Sequence, residues 1–238
     1  MAAGLRDRRL PPASSFPMTS SRPLLIALLL SLAGCQSFFA ERPPAKAATE
    51  RLQGEVRQVD GQLQLQSCQG QRTLKLLSQD TGLQDDAQVL LVDDQDALFA
   101  DLRGTLSQAE PDGTGQLALT RIYRLQREGH GCGEENFKQL ILRASGHEPG
   151  WMLTVTTRGM LLVRPGESPI ALPYLEEQLP GGQLSFTSEA NQQRLDLWVA
   201  PQRCVDSASG TVSHLSAELR LDGQTLRGCA YYGGARDD

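Results

Sequence analysis

The chain has 238 residues, a hydrophobic fraction of 39% and a formal net charge of −5. The first 34 residues hold four Arg and one Asp, so the remainder carries 19 basic and 27 acidic residues, a net charge of −8. This composition argues against a largely disordered chain. It also argues against nucleic-acid binding, which needs clustered Lys and Arg.

A short apolar run, LLIALLLSLA, occupies residues 24–33 and follows Arg22. The run is too short to span a bilayer, which needs about 20 apolar residues. Its length and its positive flank are typical of the hydrophobic region of a signal peptide. We therefore expect residues 1–34 to be a signal peptide, with Met18 as an alternative start that gives a more compact signal.

The apolar run ends in LAGC, residues 32–35, which resembles the lipobox of bacterial lipoproteins. The resemblance implies that Cys35 becomes the first mature residue and carries acyl chains, several of which together anchor a protein firmly in a membrane. Gln36 follows instead of the Asp that retains lipoproteins in the inner membrane of enteric bacteria, so the resemblance favours the periplasmic face of the outer membrane. A plain secretory signal with a chance cysteine is the alternative. Residues 35–50 are then a lipidated tether.

Four further cysteines, Cys68, Cys132, Cys204 and Cys229, form an even set in what would be an oxidising compartment. Three pairings are possible. The organisation of the chain favours Cys68 with Cys132 and Cys204 with Cys229, one bridge in each half. A metal site that includes His130 is the alternative, but no C-x-x-C occurs and the spacings match no zinc pattern. We expect no metal and no cofactor.

Residues 51–133 have the pattern of short strands. The segment VRQVDGQLQLQSC alternates apolar and polar residues around Asp60-Gly61, which is a strong hairpin signal. The segments TLKLL, AQVLLV, LFADLRGTL and QLALTRIYRL follow as further strands. Five or six strands within about 80 residues predict a small barrel.

The segment GHGCGEEN, residues 129–136, is the expected domain boundary, and residues 137–238 form the second half. Short strand-like segments separated by turn sequences predict an antiparallel barrel or sandwich there. These segments are FKQLILRASG, WMLTVTT, GMLLV, PIALPY, QLSFTS, RLDLWVA, VSHLSAELRL and TLRGCAYYGG. No segment has a long apolar period of 3.6 residues, so we expect an all-β fold with minor helices.

Three segments of the second half, SGHEPGW (145–151), CVDSASG (204–210) and LRLDGQTLRGCA (219–230), together resemble the motifs of a known family. This half resembles a family of uncharacterised lipoproteins of Gram-negative bacteria with G-N/H-E-P-x-W, C-x-D-x-x-S-G and terminal G-C-A motifs. The resemblance implies no assigned activity.

The first half, from SCQGQRTLKLL through FADLRGTL to LQREGHGC, resembles the OB-like domain of NlpE lipoproteins. A disulfide from an early strand to the domain end, here Cys68 to Cys132, is part of that likeness. The resemblance implies an OB-like barrel and a role in copper tolerance or envelope stress. The C-x-x-C that is linked to copper in that family is absent from this sequence.

His147 and Glu148, close to Trp151, combine an imidazole with a carboxylate and are candidate binding residues. Neighbouring residues of a strand point to opposite faces, however, so the two cannot readily act on one substrate atom. The structural alternative is a loop at the start of a strand in which Pro149 sets the bend and Trp151 fills the barrel.

Asp206, also a candidate binding residue, lies near Ser207, Ser209 and His214, which together contain the residue types of a hydrolase triad. No G-x-S-x-G elbow is present to expose a nucleophile. An Asp and a Ser that follow a disulfide cysteine more often form an Asx turn. We therefore expect no catalytic residues here.

Two other groups of side chains suggest ligands. The acidic residues Asp85, Asp86, Asp93, Asp94 and Asp96 match no EF-hand loop, and a solvated loop is the simpler interpretation. Tyr231, Tyr232 and Trp198 are aromatic candidates for a groove that takes a partner or a glycan, or else for barrel core and rim.

The sequence favours a non-enzymatic role in binding, sensing or scaffolding, with the membrane as one partner through Cys35 and an unidentified periplasmic protein as another. One alternative is a lipocalin-like carrier of a small apolar ligand, with a hollow barrel lined by Leu161, Leu162 and Trp198. Another is an enzyme, which requires titratable residues to converge. The residues that decide this are His147, Glu148, Asp206 and His214.

Overall fold

The computed structural model describes residues 49–70, 72–78, 80–91, 97–107, 115–190 and 193–236. Cys35, the signal peptide and most of the tether lie outside these residues, as do Asp93, Asp94 and Asp96. The strands are β1 (Thr49–Val59), β2 (Gln62–Ser67), β3 (Thr73–Leu77), β4 (Leu98–Ser107), β5 (Gly115–Gln126), β6 (Leu140–His147), β7 (Gly150–Thr156), β8 (Gly159–Val163), β9 (Ile170–Leu172), β10 (Leu175–Leu179), β11 (Gln183–Ala190), β12 (Gln193–Ala200), β13 (Cys204–Val205), β14 (Val212–Ser213), β15 (Leu215–Leu221) and β16 (Gln224–Tyr232). The helical segments are α1 (Leu83–Leu90) and two short 3-10 turns, Phe137–Gln139 and Pro180–Gly182.

Strands β1 to β5 close into a barrel. β1 pairs antiparallel with both β2 and β4. On the far side, β2 pairs antiparallel with β3, and β4 pairs antiparallel with β5. The ring closes where β3 runs parallel to β5. A five-stranded barrel of this kind is typical of the OB fold. The predicted all-β class and the OB-like first barrel are therefore confirmed.

The predicted hairpin joins β1 to β2 at Asp60-Gly61, where both residues have positive φ, 49° and 77°. Positive φ at both central positions is required by the two-residue turn that matches the twist of the strands. Leu63 and Leu65 point into the barrel and are 2% and 0% exposed, as the alternating pattern of β2 predicts.

The predicted strand AQVLLV is wrong, because its first residues belong to α1. The side chains of Leu83, Ala87 and Leu90 are buried against the first barrel, and their spacing places them on one face of a helix. A short apolar run is compatible with a strand or a helix, and here the contacts with the barrel select the helix.

The second sheet is antiparallel, with the strand order β10-β11-β12-β15-β16-β6-β7-β8-β9. It curls around its own buried core, which includes Phe186, Leu195, Leu197 and Leu219, each 0% exposed. The predicted second antiparallel β structure is thus confirmed. The sequence patterns missed β10, whose residues Glu176 and Glu177 are exposed on an edge strand, where charge discourages pairing with other chains.

The two β structures are joined by strand pairing as well as by the chain. The short strands β13 and β14 come from the second half of the sequence, yet β14 pairs with β5, with Val212 opposite Leu125. Arg51 on β1 donates hydrogen bonds to the carbonyl oxygens of Tyr232 and Gly233 at 2.7 and 3.0 Å. These bonds hold the end of β16 against the first barrel.

Two groups of buried ion pairs lie beside this junction. Arg51 forms a bidentate salt bridge with Asp101, in which both nitrogen–oxygen distances are 2.8 Å. Asp101 is fully buried. Glu134 lies between Arg143 and Arg124, at 2.6 and 3.1 Å. Buried charges need such partners because the interior does not solvate them.

Candidate functional site

The structure contains two disulfides, and they are the two pairs that the organisation of the sequence favours. Cys68 bonds to Cys132 across the end of the first barrel, with a Cα–Cα distance of 5.3 Å. Cys204 bonds to Cys229 with a Cα–Cα distance of 5.5 Å, and ties β13 to β16. Their sulfur atoms are therefore not available as metal ligands.

The three motif segments of the second half meet around the second disulfide. Cys229 on β16 pairs with Ser145 on β6, and the preceding residue, Gly228, lies against the same strand. A Cβ atom at Gly228 would be 1.9 Å from the Ser145 carbonyl oxygen. Only glycine fits this close approach of two backbones. Backbone packing therefore explains why the terminal motif has a glycine at this position.

His147 and Asp206 are in contact across two of these segments, with Nε2 and Oδ2 3.0 Å apart. His147 is about half exposed, and Asp206 is 9% exposed. The structure therefore brings together two of the predicted candidate residues, which lie far apart in the sequence.

The other oxygen of Asp206 holds its own turn. Oδ1 accepts hydrogen bonds from the backbone N–H groups of Ala208 and Ser209, at 3.0 and 2.8 Å, and from the Ser209 hydroxyl at 2.9 Å. This is the Asx turn that the sequence predicts. Burial raises the pKa of Asp206, but the hydrogen bonds from Ser209 and Ala208 and the nearby His147 outweigh it, so the net pKa is lowered.

Glu148 and Trp151 lie apart from this pair. Glu148 is exposed in the turn between β6 and β7, where its peptide bond to Pro149 is cis. Trp151 is 3% exposed and belongs to the core of the second sheet, as the structural interpretation predicts. Neither side chain joins His147 and Asp206 in a shared site.

The triad considered from the sequence does not form in the described residues. The Ser209 hydroxyl bonds directly to Asp206, with no imidazole between them. His214 instead places Nδ1 2.9 Å from the Tyr123 carbonyl oxygen, and its ring lies edge-on to Tyr123 and Tyr232, with centroids 4.8 and 4.9 Å away. Asp206 and His214 thus hold separate parts of the structure.

Two of the three residues expected to line a hollow second barrel point outward. Leu161 is 42% exposed and Trp198 is 45% exposed, whereas Leu162 is 1% exposed in the core. The expectation for Leu161 and Trp198 was wrong because the alternation of β8 and β12 turns Leu162, Leu197 and Val199 inward instead. Tyr231 and Tyr232, also considered as groove residues, are 9% and 6% exposed.

An open cleft of about 570 Å³ lies where β5 approaches the second sheet, and the sequence did not reveal it. Its cationic lining consists of Arg121 on β5, Arg203 before β13 and Arg236 after β16, and His214 also lines it. Arg203 pairs with Asp86, and Arg236 pairs with Glu176 at 2.6 Å. Three arginines in one cleft of an acidic chain indicate an anion site. Sequence reasoning could not find it, because these arginines lie on separate segments that only the strand pairing brings together.

No protein-family model, curated protein or solved structure matches the chain. In the described part of the chain, no group of three His, Cys, Asp or Glu side chains is positioned to hold a metal ion. Over the same residues, no helix has the length and apolar character needed to cross a membrane.

Replacing Asp206 with Asn should destabilise the protein in a pH-dependent way. A lowered native pKa means that the ionised carboxylate stabilises the fold above the unfolded pKa, about 3.9. That contribution is lost as the pH falls through the native pKa. In urea unfolding, the difference in the free energy of unfolding between Asp206→Asn and the wild type should therefore be larger at pH 7 than at pH 3.

The exposed neighbour of His147 gives the control for this test. Glu148→Gln should change the free energy of unfolding little at either pH, because exposed substitutions are usually within about 0.5 kcal/mol. A difference between Asp206→Asn and the wild type that is the same at both pH values would contradict the role of the ionised carboxylate.

Proposed function

We propose that the chain is a lipoprotein anchored through Cys35 to the periplasmic face of the outer membrane, and that its folded part binds a ligand without catalysing a reaction. The signal-like run and the LAGC segment support the location. The cleft of about 570 Å³ carries the binding role, since its size lies within the range of small-molecule sites.

The bonding of the titratable residues supports binding over catalysis. Asp206 uses both carboxylate oxygens to hold a turn and His147, and the Ser209 hydroxyl donates to the same carboxylate. A serine triad needs an imidazole between the hydroxyl and the carboxylate, and here the hydroxyl bonds to the carboxylate directly. The cleft, in contrast, combines charged and amide side chains with open access.

Membership in the Gram-negative lipoprotein family that the motifs resemble is part of this proposal. Its support is that the three motif segments are in contact. His147 pairs with Asp206, Cys204 bonds to Cys229, and Gly228 packs on Ser145.

Intact mass spectrometry of the protein extracted from membranes tests the location. We expect a mass that begins at Cys35 and includes acyl chains, with Cys68, Cys132, Cys204 and Cys229 protected from alkylation until reduction. The matched control is Cys35→Ser, which should lack the acyl mass and leave the membrane fraction. A wild-type protein without acyl chains would reject the anchor.

A further inference from the structure

The cleft between β5 and the second sheet is lined by three arginines, in a chain whose net charge is −5. Arg121, Arg203 and Arg236 line it together with His214. Among its described lining residues, none is Asp or Glu.

Two of the arginines are held in position by carboxylates. Arg203 bonds to Asp86 and Arg236 bonds to Glu176, each through one terminal nitrogen, and neither carboxylate lines the cleft. A guanidinium group has five N–H donors, so a single contact leaves donors that can bind a ligand. Because each contact restricts its arginine, that side chain loses less conformational entropy when an anion binds.

The guanidinium group also determines which anions fit best. Its planar fork matches the oxygen atoms of a phosphate or a carboxylate and makes paired hydrogen bonds with them. The cationic side of the cleft is therefore suited to one of these two oxyanions.

The rest of the lining is apolar or neutral. Leu179 is partly exposed and Pro201 is exposed at the cleft, and Gln178 and Gln183 add amide groups. A volume of about 570 Å³ exceeds what one inorganic oxyanion fills and is in the range of drug-sized ligands. A ligand that fills the cleft therefore carries an uncharged part next to its anionic group.

We propose that this cleft binds an organic anion, with a phosphate or carboxylate group on the arginines and an alkyl part against Leu179 and Pro201. The inference rests on the binding role proposed above and is independent of the lipid anchor. A phospholipid headgroup and a soluble organic phosphate both supply this chemistry.

Isothermal titration calorimetry on the purified full chain tests the proposal, with phosphatidylcholine nanodiscs holding the protein if it carries acyl chains. Hexyl phosphate should bind saturably and more tightly than inorganic phosphate, because it fills both sides of the cleft. Arg121→Gln and Arg203→Gln should each weaken hexyl phosphate about tenfold, since a hydrogen bond to a charged group contributes about that factor.

Matched controls separate the cleft from general charge effects. Arg194→Gln, at a side chain that is 70% exposed and outside the cleft, should leave the affinity unchanged. Dihexanoyl phosphatidylcholine, which has no net charge, should not bind. No saturable binding of hexyl phosphate, or equal affinity in the wild type and both cleft variants, would overturn the proposal.

A short-chain anionic lipid distinguishes the two sources of the ligand. Tighter binding of dihexanoyl phosphatidylglycerol than of hexyl phosphate would identify a lipid headgroup, and the reverse order would identify a soluble organic phosphate. Either order supports the organic-anion site.

The wild-type protein provides a readout that does not depend on the folding of a variant. His214 lines the cleft, so its imidazole NMR signals should shift saturably as hexyl phosphate is added. An unchanged His214 signal would overturn the proposal even if an arginine variant fails to fold. If the protein binds hexyl phosphate but its mass shows no acyl chains, only the proposed location is rejected. If the protein is acylated but does not bind hexyl phosphate, only the organic-anion site is rejected.

Discussion

Glu134→Gln is expected to lower the free energy of unfolding by about 3–5 kcal/mol, the usual cost of removing one partner from a buried ion pair. The Glu134 side chain is 5% exposed and lies between two arginines, Arg124 at 3.1 Å and Arg143 at 2.6 Å. Arg124 is 1% exposed, so water cannot replace the lost carboxylate. Two neighbouring cations would then share an interior site with no anion between them.

The aromatic contacts of Arg124 prevent its guanidinium group from moving easily into water when the carboxylate is removed. Its guanidinium carbon lies 3.9 Å from the ring centroid of Tyr231 and 4.7 Å from that of Phe99. Tyr231 is on β16 and Phe99 is on β4, so Arg124 is packed between the two β structures. Moving Arg124 into water would also remove this packing, and the loss therefore remains large even after relaxation.

Chemical unfolding in urea at pH 7 measures the effect, with Glu135→Gln as the matched control. Glu135 is the adjacent residue and is exposed, so the same change of charge there should cost less than about 0.5 kcal/mol. Comparable losses for both variants would mean that net charge matters and that the buried contacts do not.

Local patterns predict much of this fold. The alternation of β2 places Leu63 and Leu65 inside the barrel, and the Asp60-Gly61 turn fixes the register of the first hairpin. Local chemistry also predicts the Asp206 turn, because the carboxylate and its donors are within three residues of each other. In each case the interacting groups are neighbours in the chain.

Features that depend on distant contacts were not predictable in the same way. The run that became α1 reads equally well as a strand, and its contacts with the barrel decide between the two. The pairing of β14 with β5, which brings Arg203 and His214 towards Arg121, has no local signature. The arginine cleft therefore emerges only from the tertiary structure.

Removing the bridge between Cys68 and Cys132 should lower the free energy of unfolding by about 4 kcal/mol in the chain-entropy model, since the bridge closes a sequence separation of 64 residues. The double variant Cys68→Ala/Cys132→Ala leaves no free thiol to pair elsewhere. For Cys204 and Cys229, which are separated by 25 residues, the same model gives about 3.5 kcal/mol. Urea unfolding of both double variants, beside the oxidised wild type, measures the two losses.

The urea dependence of unfolding tests the physical origin of this stabilisation. A disulfide that acts on the unfolded chain keeps that chain compact, so its removal should expose more surface on unfolding and increase the m-value. The increase should be larger for the Cys68–Cys132 variant, because that bridge closes the longer loop. A loss of stability with an unchanged m-value would instead assign the effect to contacts in the native barrel. The bridge would then hold the end of β2 against the segment after β5, and constraint of the unfolded chain would contribute little.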